Sequence, residues 1–399
     1  MNNLQLFLPC AAGAEAFLAD EVARITGTPG HAWRAGVQLP GSWRDALLLN
    51  LHSRLSQRVL IALAQGNYRH EQDLYNAAAG VAWEAWFTPS QTFKVEVTAQ
   101  HSPLTRLNFA ALKIKDAIAD RFRSKRGERP SVDTHQPDVR IYVHLTTDTW
   151  VLYIDTSGEP LFKRGWRQDT GDAPLKETLA ASMLVASGWS ALCQEGMALY
   201  DPCCGSGTIA IEAAHMACNM APGLHRRFAF EKLLPFARPV WDGLHSAAQQ
   251  AITAPTAPVF GSDVAFRMVD FAQRNAERAG VAHAVEFRGG DALQRMPPAP
   301  AGVMLVNPPY GERIEVAGVA GVAGRGREQA QTNSDIDFFV QLAAHWKKHY
   351  AGWTAHVLTP DLKLPSKMRL KESRRVPLWN GPIECRLFRF DMVAGSARG

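Results

Sequence analysis

The chain has 399 residues, 46% hydrophobic and 20% charged, with a net charge of +5. That length admits two or three domains with separate cores, and the balance is that of an ordinary soluble protein. No apolar run approaches the ~20 residues of a membrane span, and Met1-Asn-Asn-Leu-Gln lacks the basic start of a secretion signal. Six cysteines without paired C-x-x-C spacing indicate neither a zinc knuckle nor a disulfide framework. A cytoplasmic protein with no membrane contact and no metal is expected.

Taken from the N-terminus, Leu4 to Leu8 reads as a short strand. Ala14 to Ile25 reads as a helix with Phe17, Leu18, Val22 and Ile25 on one face. Trp43 to Leu51 suggests a short helix before a strand over Ser56 to Leu63, and Asp73 to Phe87 a second amphipathic helix. Thr92 to Thr98 alternates as a half-buried strand does. A long helix follows over Asn108 to Arg123. Between Arg106 and Arg129 stand eight Lys/Arg against three acids, a surplus equal to the net charge of the whole chain. A phosphate backbone would select such a cluster, although a solvated helix face explains it as well. Val139–Leu145 and Trp150–Asp155 form a hairpin, and turn formers at Thr156–Pro160 mark a junction.

Beyond the junction the rhythm becomes strand–helix alternation, which implies a parallel sheet covered by helices. Strands over Met197–Tyr200, Pro258–Ser262, Ala284–Phe287 and Gly302–Val306 lead to Asp201, Asp263, Asp291 and Asn307; helices are expected over Ile209–Ala217, Ala265–Ala279 and Asp335–His349. Two more strands are expected at Trp353–Leu358 and Ile383–Phe390. Glu315 to Thr332 is Gly/Ala-rich and reads as a loop. The stretch from Ala221 to Pro258, with Arg226, Arg227, Phe228 and Trp241, reads either as a helical insert near the substrate mouth or as plain packing.

Open α/β sheets bind ligands at the carboxyl ends of their strands. Asp201-Pro-Cys-Cys-Gly-Ser-Gly-Thr208 sits at the first such end. Gly205 and Gly207 permit a tight turn and close approach, and the helix after them offers N–H groups to an anion. The candidate cofactor residues are Asp201, Cys203, Gly205, Ser206, Gly207 and Thr208. Asp263 would take ribose hydroxyls, and Asp291 with Ala292 an adenine amine. Thr208-Ile-Ala-Ile replaces the third glycine of a dinucleotide site, which argues against NAD. Cys203 and Cys204 read mainly as small packed side chains.

Asn307-Pro-Pro-Tyr310 is the second motif. An exocyclic amine on a base is a poor nucleophile because its lone pair is delocalised. Acceptors at the Asn307 Oδ1 and the Pro308 carbonyl would draw the nitrogen towards tetrahedral geometry. Pro308 and Pro309 stiffen the loop, and Tyr310 would stack on the base. Such a base must be flipped out or single-stranded. Asn307 also borders the cofactor.

These motifs, with Lys163-Arg-Gly-Trp-Arg167, Ala173-Pro-Leu-Lys-Glu-Thr-Leu-Ala180, Asn108 to Asp120 and Glu384-Cys-Arg-Leu-Phe388, resemble the THUMP-containing RNA methyltransferases over nearly the whole chain. The likeness is strongest to the branch acting on guanine N2 of large-subunit ribosomal RNA. It implies a Rossmann-like S-adenosylmethionine-dependent methyltransferase domain at 156–399. A ferredoxin-like segment (1–43) and a THUMP RNA-binding domain (44–155) would precede it. It also implies Lys113, Lys115, Arg121 and Arg123 as RNA contacts, places Lys176 and Glu177 near the cofactor, and leads one to expect a single methylation activity. Ribosomal RNA is the expected partner, with the oligomeric state open and a monomer compatible. The alternatives are N6-adenine methylation of DNA, guanine-N2 methylation of transfer RNA, and a non-catalytic RNA-binding assembly factor.

Overall fold

A computed structural model describes residues 3–171, 174–308 and 335–393. The chain divides into two compact units: Met1–Cys10, Leu18–Leu161 and Arg226–Ala247 in the first, and Ala11–Phe17, Phe162–His225 and Ala248–Gly399 in the second.

The first unit carries β1 (Leu4–Pro9), α1 (Glu15–Thr26), β2 (His31–Trp33), β3 (Gly36–Gly41), α2 (Trp43–His52), β4 (Leu60–Asn67), α3 (Glu71–Gly80), β5 (Phe93–Ala99), α4 (Leu107–Arg126), β6 (Val139–Leu145) and β7 (Thr149–Asp155). All seven strands form one sheet in the order β2-β3-β1-β4-β7-β6-β5. The expected boundary at 43/44 therefore falls within a sheet: β1 pairs with β3 on one side and with β4 on the other. A one-sided apolar pattern cannot show which neighbour a strand takes.

Other elements deviate for local reasons. Residues 56–59 do not enter β4, because Gln57 donates its N–H to the Pro9 carbonyl (2.7 Å) and Val59 donates to the Ser157 hydroxyl (2.8 Å). The helix expected to reach Phe87 stops at Gly80, where the Trp83 indole N–H bonds back to the Ala78 carbonyl (2.8 Å). β2, three residues at the sheet edge, and β3 beside it carry no strand pattern in the sequence, because β2 is so short and β3 holds Gly36, Pro40 and Gly41. In α4 the buried stripe Ala110, Ile114, Ala117, Ile118 and Phe122 leaves most of the cations on the outer face.

The second unit contains α5 (Glu177–Ala186), α6 (Trp189–Leu192), β8 (Ala198–Asp201), α7 (Thr208–Ala217), α8 (Arg238–Gln250, shared with the first unit up to Ala247), β9 (Val259–Asp263), α9 (Phe266–Arg278), β10 (Val285–Gly289), β11 (Gly302–Val306), α10 (Asp335–His349), β12 (Trp353–Thr359), α11 (Leu364–Met368), β13 (Arg374–Asn380) and β14 (Ile383–Asp391). The sheet order is β10-β9-β8-β11-β12-β14-β13. β10 through β12 run parallel, and β14 and β13 close the far edge antiparallel. This is the α/β, Rossmann-like class expected. Every residue of β11 is buried, as a central parallel strand requires. One core is built by Tyr200, Met304, Val306, Leu342, Trp346 and Trp353. β13 escaped notice because it is basic, holds Pro377 and lies on the edge.

Within the stretch 221–258, residues Arg226–Ala247 pack in the first unit and include most of the helix α8. The Phe228 and Phe230 rings stack at 5.0 Å, Trp241 meets both edge-on, and Arg226 donates to the Pro160 carbonyl at 2.8 Å, all within the first unit.

Candidate active site

Because β10, β9, β8 and β11 are parallel neighbours, their carboxyl ends lie side by side. Asp291, Asp263, Asp201 and Asn307 follow these ends in spatial order. At roughly 4.8 Å per strand the row extends about 14 Å, a length suited to a nucleoside with a side chain.

The loop after β8 is shaped by its own carboxylates. Asp201, 1% exposed, accepts from the Cys203 N–H at 3.1 Å and so closes the turn. Asp263 takes the Gly205 N–H with one oxygen and the Ala265 N–H with the other, both at 3.0 Å. Asp291 takes the Leu293 N–H at 2.9 Å. Burial, with Asp263 nearby, pushes the Asp201 carboxyl up to about 8, and burial raises Asp263 as well. Gly205 and Gly207 adopt φ values of +52° and +89°. A side chain at Gly207 would meet Ala272 and Phe287 at 3.0–3.1 Å, whereas the space in front of Gly205 is open. That contrast separates a glycine that packs from one that faces a site.

Cys203 contributes its backbone to this turn while its side chain packs on the core, and Cys204 is buried. Burial and the surrounding carboxylates raise both thiols, which keeps them protonated and unreactive. Ala292 is buried in the same core. Asn307 is half-buried directly after β11, and Pro308 is buried. Pro309, Tyr310 and the 315–332 loop lie outside the described residues. Among the described residues no three His, Cys, Asp or Glu side chains gather as a metal site.

Two residues without an individual role in the sequence reading hold the glycine loop. The Arg167 guanidinium lies over the Trp166 ring and donates to Glu177 Oε1 (3.0 Å), the Leu175 carbonyl (3.1 Å), Ser206 Oγ (3.0 Å) and Thr208 Oγ1 (2.8 Å). Asn275, fully buried on α9, donates to the carbonyls of Ser206 (3.1 Å) and Asp169 (2.8 Å). Glu177 is 4% exposed, so α5 opens inside the unit and not as a surface helix. Only a polar residue in an apolar helical stripe could have flagged Asn275.

The candidate RNA contacts fall on α4 in the first unit. Lys113 lies over the exposed Phe109 ring, Lys115 pairs with Asp116 (2.8 Å), and Arg123 is exposed beside Asp120. Arg121 is engaged differently: its guanidinium forks onto both Glu84 oxygens (2.9 and 2.6 Å) and reaches the Ala79 carbonyl. That pairing holds the Glu84 carboxyl down at about 2.

Residues 164–389 match the RMKL-like methyltransferase domain, more than half of the chain. The chain belongs to this family. Residues 68–155 further match the THUMP domain and residues 5–60 the RlmL ferredoxin-like domain. Ribosomal RNA large subunit methyltransferase K/L of Shewanella pealeana is 37% identical over 99% of this chain and 54% of its own length. This RMKL-like chain thus spans about half the length of such curated relatives. Among solved structures, SMU.472, assigned as a methyltransferase and solved with SAH, matches with a TM-score of 0.86 at 25% identity, over 99% of this chain and 100% of that one. A Listeria monocytogenes protein assigned as an N6-adenine-specific DNA methylase gives 0.83 at 26%, over 97% and 96%.

Proposed function

We propose that this chain binds S-adenosylmethionine along the carboxyl ends of β8, β9 and β10 and methylates the exocyclic N2 of a guanine in RNA, with large-subunit ribosomal RNA as substrate. The observation carrying this reading is the placement of Asn307 at the end of β11, the strand hydrogen-bonded to β8, whose own end bears the glycine loop. The SAH complex of SMU.472 and the name of the Shewanella relative support it.

The residues present fit such a cofactor. Gly205 faces open space, and the two Asp263 oxygens, each bonded to one backbone N–H, keep lone pairs for ribose hydroxyls. Asp291 and the Ala292 backbone stand at the outer end of the row, where an adenine would lie. When bound, the cofactor supplies a methyl group activated by its sulfonium. The chain then has to orient an amine: the Asn307 Oδ1 and the Pro308 carbonyl accept its hydrogens and aim its lone pair. Pro309 and Tyr310 would complete the base pocket. In-line positioning supplies most of the rate, and no strong base is required.

RNA would be engaged through α4, with Lys113, Lys115 and Arg123 on phosphates and Arg121 holding the helix to its own unit. Replacing Asn307 by Ala should abolish methylation of protein-free ribosomal RNA while RNA affinity stays within about two-fold, roughly 0.4 kcal/mol. Activity surviving that change would remove the amide oxygen from the mechanism. The Listeria relative keeps N6-adenine methylation of DNA as the second reading. Duplex DNA accepted in preference to ribosomal RNA would favour it.

A further inference from the structure

Ser206 and Thr208, both 5% exposed, each carry a hydroxyl that accepts from Arg167 (3.0 and 2.8 Å). A hydroxyl that receives a hydrogen bond must direct its own proton elsewhere. Among the described residues neither hydroxyl has an acceptor for that proton. Two buried O–H donors, two residues apart at the start of α7, are therefore set as a pair by one guanidinium. Buried donors seldom go unanswered, and the group that would answer both is a carboxylate.

The guanidinium cannot move to meet that carboxylate itself. Its Nε is held by Glu177 and its Nη2 is shared between the Leu175 carbonyl and Thr208, while the ring of Trp166 lies against its face. Glu177 also balances the positive charge, which would otherwise stand unfavourably at the positive end of α7. The segment before α5 is thereby tied to the glycine loop at the hydroxyls, and Asn275 ties the same segment to the Ser206 carbonyl.

We propose that Arg167 is a positioning residue for the methyl donor, acting through Ser206 and Thr208 to present two O–H donors to the carboxylate of its methionine end. The proposal rests on the S-adenosylmethionine reading above and adds to it the residue that orients one end of the ligand.

Lysine in place of Arg167 keeps a charge for Glu177 but lacks the planar fork that reaches both hydroxyls. Calorimetry with two probes decides the matter: S-adenosylhomocysteine, which has the carboxylate, and 5′-methylthioadenosine, which lacks the amino-acid end. In Arg167→Lys, affinity for S-adenosylhomocysteine should fall about ten-fold, the effect of losing one or two hydrogen bonds. Affinity for 5′-methylthioadenosine should stay within about two-fold, because that probe has no carboxylate for the hydroxyls to meet. Ser206→Ala combined with Thr208→Val leaves the Arg167–Glu177 pair in place and should reproduce that pattern. It decides the question if the lysine variant does not fold. Equal losses for both probes would make Arg167 merely structural and overturn the proposal, as would no loss for either. A wild-type protein that binds neither probe would instead sink the cofactor reading on which the proposal stands.

Discussion

Asp201 and Asp263 show how a single backbone turn perturbs the groups that make it. Asp201 accepts the Cys203 N–H while fully buried, and burial beside Asp263 lifts its carboxyl to about 8. A carboxyl raised in the folded state favours folding only while protonated. Its contribution is complete below its ordinary range near 3.8 and is lost as pH rises towards 8. The ligand-free protein should therefore lose thermal stability between about pH 4 and pH 8, in part through this one residue. Asp201→Asn keeps an acceptor for Cys203 and removes the titration, so its Tm should fall less steeply over that window. Parallel Tm profiles for the two proteins would show that Asp201 titrates normally. At the same scale, Cys203 stands near three carboxylates and Cys204 near two, and both stay protonated because burial and those neighbours oppose a thiolate.

At the scale of elements, α4 divides its cations between two tasks. Arg121 faces Glu84 and the end of α3, where its bidentate fork is part-buried. Arg123, two residues on, points to solvent. Arg121→Ala should destabilise the chain by about 1 kcal/mol, as befits a well-formed but partly solvated pair, and alter RNA affinity little. The charge reversals Lys113→Glu and Arg123→Glu should do the opposite. They should weaken RNA binding and lower the salt dependence of log K by about one unit for each phosphate no longer neutralised. Urea unfolding and filter binding at several salt concentrations measure both. RNA affinity falling most in Arg121→Ala would reverse the assignment.

For the whole molecule, the notable feature is that residues Arg226–Ala247, which separate two strands of the second unit, pack within the first. Phe230 donates its N–H to the Thr156 carbonyl and Leu234 to that of Trp86, both at 2.9 Å, and Trp241 closes over Phe228 and Phe230. Trp241→Ala should cost about 3–5 kcal/mol, the usual range for emptying a buried indole site. Hydrogen exchange should then rise at Phe230 and Leu234 while the β8 and β11 amides keep their protection. Loss of protection at β8 and β11 instead would place this aromatic cluster in the other unit.

Much of the architecture could be read in advance because it depends on residues near one another in the chain. Period-two burial in β6 and β7, the apolar stripe of α4 and the alternation of strands with helices after residue 160 all follow from side-chain direction along a local backbone. So do the positions of Asp201, Asp263, Asp291 and Asn307 at or just beyond strand ends, since a strand carries the residues that follow it to its carboxyl end whatever surrounds it. What linear order could not disclose were partnerships between distant segments. That β4 joins β1 and β7 in one sheet, that Arg167 reaches Ser206 and Thr208, that Asn275 supports the glycine loop and that Trp241 belongs to the first unit are matters of long-range pairing. Each is settled by which buried donor finds which acceptor and which ring fills which space, and those choices exist only once the chain has folded.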